Sequence, residues 1–428
     1  NSLHLVCQTL ALNMTSHWKV FFGNIFPSNP EIGEIGSIEL NIWLANITGV
    51  PIIGLKKESN GLKFLILMYG ICTSLLVTFV YTGFEIYDLI LNLDDLDKIT
   101  QNICLSLTHV AGAVKITNLF YRYKDLKIVI DQLKYVTKTY IKSEKQLETF
   151  HNGELENKIG LSIYAGIVGT TGILGMILLF MHPESVAGEI FPYRVILPSW
   201  LPLFWQLIYM GLSVTVFAIQ IVAVDYLNVT IINQIRFQLN ILNLSFDELT
   251  IAAETTLNKK TEHAKTLEIL KLEPLARLNS IIEHHCLLRE IRQLTEDIFS
   301  QPVLLQFFTS LMIFAMTGFQ ATVRTGGSNG AVLIYFYCGC IFCQLFVYCW
   351  FGNEVFEQSK TLATSGFNSS WYLFDRRYGK SLLVYLTNAQ RPFLFTAGGF
   401  MGLSLPSFAG ILSKSYSYIA LLRQIYGR

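Results

Sequence analysis

The stretch Ser404-Leu405-Pro406-Ser407-Phe408-Ala409-Gly410-Ile411-Leu412-Ser413-Lys414-Ser415-Tyr416-Ser417-Tyr418-Ile419-Ala420-Leu421-Leu422-Arg423-Gln424 decides how the rest of the chain is read. It is apolar enough to enter a bilayer, yet Ser404, Ser407, Lys414, Ser417, Leu421 and Gln424 recur at helical intervals. That spacing lines one side of a helix with mostly small or polar groups. A helix that only anchors has no use for such a stripe; a helix facing water inside a membrane does.

Composition agrees with a membrane reading. Of 428 residues, 52% are hydrophobic and 15% charged, and the mean hydropathy is +0.43. Soluble domains carry about 25% charged residues, so the chain reads as a polytopic membrane protein. A net charge of +1 with no basic block interleaved with aromatics gives no footprint for nucleic acid. Residues 1–25 lack the pattern of a secretory signal peptide, and a start at Asn1 leaves room for a longer natural beginning. The eight cysteines, mostly in apolar runs, read as small buried hydrophobes rather than a disulfide framework. Cys338, Cys340 and Cys343 turn through different helix faces with no histidine nearby, so a metal site is rejected.

A span needs about 20 apolar residues. Residues 62–84, 96–121, 159–181, 195–224, 298–323, 328–353 and 393–424 qualify, the second weakly because it carries Asp97, Lys98, His109 and Lys115. The fold expected is all-α, with seven transmembrane helices. Basic residues concentrate in 122–158, in 225–297 and in 354–392, while 85–95 is acidic and 182–194 and 324–328 hold one arginine each. By the positive-inside rule the basic segments are cytosolic, which puts the amino terminus inside. A G-protein-coupled receptor has the opposite orientation. The sequons at Asn13, Asn46, Asn228, Asn243 and Asn368 then all miss the outer loops and are expected to be unmodified.

The chain thus divides into a cytosolic segment 1–61, spans one and two in 62–121, a helical connection 122–158, spans three and four in 159–224, helical extensions 225–297, spans five and six in 298–353, the cytosolic part of the seventh helix in 354–392, and its membrane part in 393–428. Leucines and isoleucines at helical spacing in 123–150 and 226–296 predict amphipathic continuations, with a break at Thr255–Thr261. Residues 38–55 are too short to span and are expected along the inner interface, with Trp43 at headgroup level. His284-His285-Cys286 reads as part of an amphipathic helix rather than as a metal or pH-sensing site.

No phosphate loop, zinc-protease motif, nucleophile elbow or convincing carboxylate pair is present, so neither an enzyme nor a cofactor is expected. Asp225 and Glu354 read as helix-end charges. For ligand sensing, the outer halves of the spans offer Ile103 and Leu107 in the second, Gly169, Ile173 and Ile177 in the third, Trp205 and Tyr209 in the fourth, and Tyr335, Phe336 and Tyr337 in the sixth. A cavity of such groups suits a small, weakly polar volatile bound by burial and shape. The same residue types also serve ordinary helix packing in membranes.

Toward the carboxyl end, Phe351-Gly352-Asn353-Glu354, Ser359, Trp371-Tyr372, Arg391-Pro392, Thr396-Ala397-Gly398-Gly399-Phe400, Ser404-Leu405, Phe408 and Lys414-Ser415-Tyr416-Ser417-Tyr418 form an ordered set ahead of Leu421 and Gln424. Through these residues the chain resembles an insect odorant receptor. The resemblance implies an odorant-gated, non-selective cation channel in the plasma membrane, assembled as a tetramer around a pore lined by the seventh helices. It implies a cytosolic anchor built from the extended helices, and a gate at Leu421 and Ile425 beside Gln424, with Ser417 in the pore-lining part. The family's co-receptor is longer between the fourth and fifth spans, so this chain resembles a tuning subunit that pairs with a co-receptor in a heterotetramer, a homotetramer being the other possibility. The related gustatory group would show Thr-Tyr in place of Ser417-Tyr418. Lys414, two turns from Leu421, would put a cation near the pore of a cation channel. Changing Tyr335 or Trp205 is expected to alter ligand tuning.

Overall fold

A computed structural model of the chain describes residues 34–52, 60–181, 195–198, 200–258, 263–323 and 329–426. Asn13, Cys7, the outer loops 182–194 and 324–328, and Lys259-Lys260 of the expected break lie outside the described residues.

The helices are α1 (Gly36–Ile47), α2 (Asn60–Thr73), α3 (Tyr81–Leu91), α4 (Leu96–Tyr121), α5 (Tyr123–Tyr140), α6 (Glu144–Met181), α7 (Leu203–Asn258), α8 (His263–Val323), α9 (Asn329–Phe367), α10 (Arg376–Ala389) and α11 (Leu405–Tyr426). A π-helical stretch, Ser74–Val80, joins α2 to α3 as one continuous rod, so the first span runs on to Leu91. Among the described residues six helices are long and apolar enough to cross a membrane; α11, with its serines and lysine, is the seventh. The chain is an all-α, multi-pass membrane protein.

At about 1.5 Å per residue, the 56 residues of α7 reach well beyond a hydrocarbon core of about 30 Å. The fourth span therefore continues as an extension, as the leucine spacing implies; residues 259–262, within the expected break, lie outside the described residues. α7 is the central element: every residue from Gln220 to Ile235 is buried. α1 packs against α7 and α6. Ser37 Oγ donates to Glu154 (2.7 Å) and Asn41 Nδ2 to Thr230 (3.0 Å), while Trp43 stays exposed. The polar residues of α1, silent in a hydropathy reading, are what draw it into the bundle.

The seventh span does not begin at 393. Residues 393–404 form a two-stranded hairpin, β1 (Thr396–Ala397) with β2 (Met401–Gly402), and the helix starts at Leu405. Gly398 and Gly399 turn it at φ +61° and +78°, a region where side chains are strained. One face of α8 holds this hairpin at four-residue spacing. Arg292 donates to the Leu394 carbonyl (2.9 Å), Glu296 accepts from the Thr396 N–H (3.0 Å), and the Ser300 carbonyl accepts from the Gly398 N–H (3.0 Å). From α9, Ser359 Oγ accepts from the Phe393 N–H at 2.8 Å. A Cβ added to Gly352 would stand 2.6 Å from the Leu403 carbonyl oxygen, so glycine there lets the chain enter α11 against α9. Gly352, Ser359, Thr396 and Gly398 of the carboxyl-terminal signature thus form a clamp that aims the last helix.

α8 carries Pro302 inside the helix. Proline removes the hydrogen bond to the carbonyl four residues earlier, here that of Ile298. Asn118 Nδ2 on α4 donates to that carbonyl at 2.8 Å, so the gap in the α8 ladder is filled by a neighbouring helix.

Candidate functional site

Four helices enclose a cavity of about 90 Å³. Leu105, Thr108 and His109 come from α4; Tyr164, Val168, Thr171 and Gly172 from α6; Val214, Phe217, Ala218 and Ile221 from α7; and Leu333, Tyr337, Cys340, Ile341 and Gln344 from α9. Each helix contributes residues three or four apart, which is how one face of a helix meets one space. Most of the wall is apolar, and several of its polar groups bind one another. Tyr337 OH lies 2.6 Å from Thr108 Oγ1 and donates to the Cys104 carbonyl (3.0 Å), while Thr171 Oγ1 lies 3.2 Å from Cys340 Sγ.

His109 behaves differently. Its Nδ1 lies 3.0 Å from the Leu105 carbonyl and 2.9 Å from a carboxylate oxygen of Glu85, with both side chains buried. The ring packs between Phe217 (centroids 4.2 Å apart) and Tyr81 (5.4 Å).

At Gln344 the wall joins a buried ionic network that the sequence reading missed. Lys115 Nζ donates to Asp225 Oδ1 and to Gln306 Oε1, both at 2.7 Å. Tyr348 OH donates to Asp225 (2.9 Å), Gln344 Nε2 donates to its other oxygen, and Gln306 Nε2 donates to Gln344 Oε1 (2.7 Å). Asp225 is therefore no helix-end charge but the centre of a four-helix network. A buried pair of this kind holds only when its remaining hydrogen-bonding capacity is met as well. The available signal was two opposite charges, Lys115 and Asp225, each stranded in an apolar run. Glu354 also has a partner, Arg236, at 3.6 Å.

Of the sequence-proposed ligand residues, Tyr337 lines the cavity. Ile173, Ile177, Trp205, Tyr335 and Phe336 are exposed on the chain, and nothing stands within 4 Å of a Cβ placed on Gly169. These residues lie on helices that wall the cavity, but all except Tyr337 stand off its lining. On α6 the cavity face is Tyr164–Val168–Thr171/Gly172, so Gly169, Ile173 and Ile177 are rotated one residue away from it. On α9 Tyr335, Phe336 and Tyr337 are consecutive and cannot share a face. Ile103 and Leu107 are half-buried beside the α4 wall. Tyr209 is held by its hydroxyl, which donates to the Leu76 carbonyl at 2.7 Å.

α11 lies against α8 and α9 along one side. Phe408 meets Phe342 (5.1 Å) and Phe346 (5.6 Å), Ser415 Oγ donates to the Leu311 carbonyl (3.3 Å), and Ile419 abuts Gly318. The opposite side carries Lys414, Ser417, Leu421 and Gln424, all exposed, with Ile425 exposed beside them. Lys414 therefore shares its face with Leu421 and does not turn into the bundle.

His284 and His285 sit inside the helical extension. His284 stacks on Tyr140 at 4.3 Å and its Nε2 lies 3.1 Å from Gln238 Oε1; His285 stacks on Phe393. Among the described residues no three metal-ligating side chains come together.

Comparison with known proteins places this architecture. The chain is 28% identical to odorant receptor 85c of Drosophila melanogaster over 149 residues, 35% of this chain and 38% of that protein. It is 25% identical to odorant receptor 13a of the same fly over 361 residues, 78% of this chain and 82% of that protein. The first of these matches spans little more than a third of the relative's length. The fold matches that of the insect olfactory receptor OR5 from Machilis hrabei at a TM-score of 0.75 and 16% identity, covering 91% of this chain and 97% of that one. The same receptor in complex with eugenol matches at 0.76. The profile described as 7tm Odorant receptor matches residues 95–416. The chain belongs to the 7tm odorant receptor family.

Proposed function

We propose that the chain is a tuning-type subunit of an odorant-gated, non-selective cation channel in the plasma membrane, with its amino terminus in the cytosol. A small, mostly apolar volatile is buried in the cavity between α4, α6, α7 and α9, and its burial favours a conformation in which the α11 helices separate at Leu421 and Ile425. A ligand shifts gating only by its differential affinity for the open state. The observation carrying this reading is a largely apolar cavity walled by four helices of one chain, in a member of this receptor family. The solution of a protein of the same fold with eugenol supports a small organic ligand. For the pore, support comes from α11 itself, whose Ser417, Leu421 and Gln424 stay exposed while its other side packs. That exposed face is what other subunits of a tetramer would cover, and a co-receptor is the partner proposed. Whole-cell currents to an odorant panel, with and without an insect co-receptor, test the reading. Odorant-evoked cation current that requires both chains is expected. Silence across the panel, with both chains labelled at the cell surface, would overturn it.

A further inference from the structure

The ligand class can be narrowed from a single ring nitrogen. His109 is 1% exposed, lines the cavity, and its Nε2 has no hydrogen-bond partner in the protein. Of the wall's polar groups, Thr108, Tyr337, Thr171 and Gln344 are paired, as described above. A buried polar atom left unpaired is costly unless something else meets it.

The contacts of the other ring nitrogen fix what Nε2 can do. Nδ1 faces two acceptors, the Leu105 carbonyl and the Glu85 carboxyl. A bare nitrogen there would set lone pair against lone pair, so Nδ1 carries the ring proton. In that tautomer Nε2 is an acceptor. Were Nε2 protonated as well, against the Glu85 carboxylate, it would donate and no longer favour the alcohol over the ether, an outcome that overturns the inference below. Phe217 and Tyr81 confine the ring, so Nε2 cannot readily swing elsewhere.

Resting on the reading of this cavity as the odorant site, we infer that the ligand is a compact alcohol or phenol whose hydroxyl donates to His109 Nε2 while its carbon skeleton fills the apolar remainder. Ethers and esters can only accept, and hydrocarbons do neither; both leave Nε2 unpaired. Size sets a second limit. A dry apolar cavity of about 150 Å³ takes benzene, so the space of about 90 Å³ here favours skeletons no larger than a short chain or one ring, and the larger of these require the wall to give.

The test uses three molecules of nearly one shape: pentan-1-ol, its isomer butyl methyl ether, and hexane. Concentration–response curves are recorded on the chain expressed with a co-receptor, as native protein and as His109→Phe and His109→Gln. On the native channel the alcohol is expected to be about tenfold or more as potent as the other two, the range set by leaving a buried acceptor unmet. His109→Phe should level the three, and His109→Gln, which retains an acceptor, should keep part of the alcohol preference. An ether or alkane as potent as the alcohol on the native channel overturns the inference, and this comparison needs no variant to fold. An equal loss for all three in His109→Phe at normal surface density also overturns it, because the histidine would then be structural. Current to a panel of non-hydroxylated odorants with none to alcohols overturns it while leaving the channel reading intact. Silence to every odorant removes the channel reading and this inference together.

Discussion

Around the cavity Leu105, Tyr164, Phe217 and Leu333 are each less than a tenth exposed, whereas on α11 Leu421 is 49% and Tyr416 74% exposed. One surface is finished inside a single chain; the other is half a surface. The cavity has its walls and its unpaired nitrogen supplied by α4, α6, α7 and α9, and the network beside it by α4, α7, α8 and α9, so its chemistry can be read from one copy. α11 is packed on one side and open on the other, so the pore role proposed for it depends on what faces it. Substitutions near the cavity should therefore act on the chain itself, and substitutions on the open face of α11 should act on what subunits do together.

The sharpest separation of the two comes from the ionic network. Lys115→Met leaves Asp225 buried without its cation, a loss of about 3–5 kcal/mol. That should abolish surface delivery of the chain whether or not a co-receptor is present, as read by surface biotinylation. The pair Lys115→Met with Asp225→Leu should recover much of it, since apolar replacement of a buried ion pair is often neutral; no recovery would mean that the network does more than balance charge. Leu421→Ser should do the reverse, leaving delivery intact and raising current without ligand. If neighbouring subunits bury this leucine in the closed state, as proposed, losing it costs about 1.5–3 kcal/mol, or roughly ten- to a hundredfold in the closed–open balance. Unchanged resting current would count against a gate at this position. Glu296→Ala lies between the two regions. It strands the Thr396 N–H at a cost of about 1–3 kcal/mol, and because the hairpin aims α11, loss of channel activity is expected ahead of loss of folded protein.

Helix existence was legible in the sequence because it rests on runs of apolar residues, and α4 has the bounds 96–121 that its run predicts. The polar decisions were not legible. α1 joins the bundle through Ser37 and Asn41, the seventh span yields its first residues to a hairpin, and Asp225 finds Lys115 110 positions away in sequence. Each of these turns on a partner distant in sequence, which periodicity cannot name. The carboxyl-terminal signature identified the family, and in the fold Ser359 of α9 holds Phe393 while Thr396 and Gly398 are held by α8. His109 was visible only as a blemish in a weak span; its meaning depends on Glu85, Phe217 and an unpaired Nε2.

The smallest effect is the most informative about the cavity's edge. On α9 the wall is Leu333, Tyr337, Cys340/Ile341 and Gln344, spaced by three or four residues, so Tyr335, two positions from Tyr337, is turned to the far side of the helix and is 66% exposed. Trp205, 56% exposed, lies more than two turns before Val214, where the α7 wall begins. Aromatics at such positions cover lipid or another helix, and surface substitutions away from special features change stability by about 0.5 kcal/mol or less. Tyr335→Ala and Trp205→Ala are therefore expected to leave ligand potency within about twofold, contrary to what residue type alone suggests. Tyr337→Phe, which removes the hydroxyl held by Thr108 and Cys104, should shift potency more than either, by about fivefold, the worth of one net hydrogen bond. If Tyr335→Ala instead moves tuning as far as Tyr337→Phe, the ligand does not sit where these four helices meet. It would then lie against the outer face of α9, where in the assembled channel a neighbour or lipid supplies the other wall.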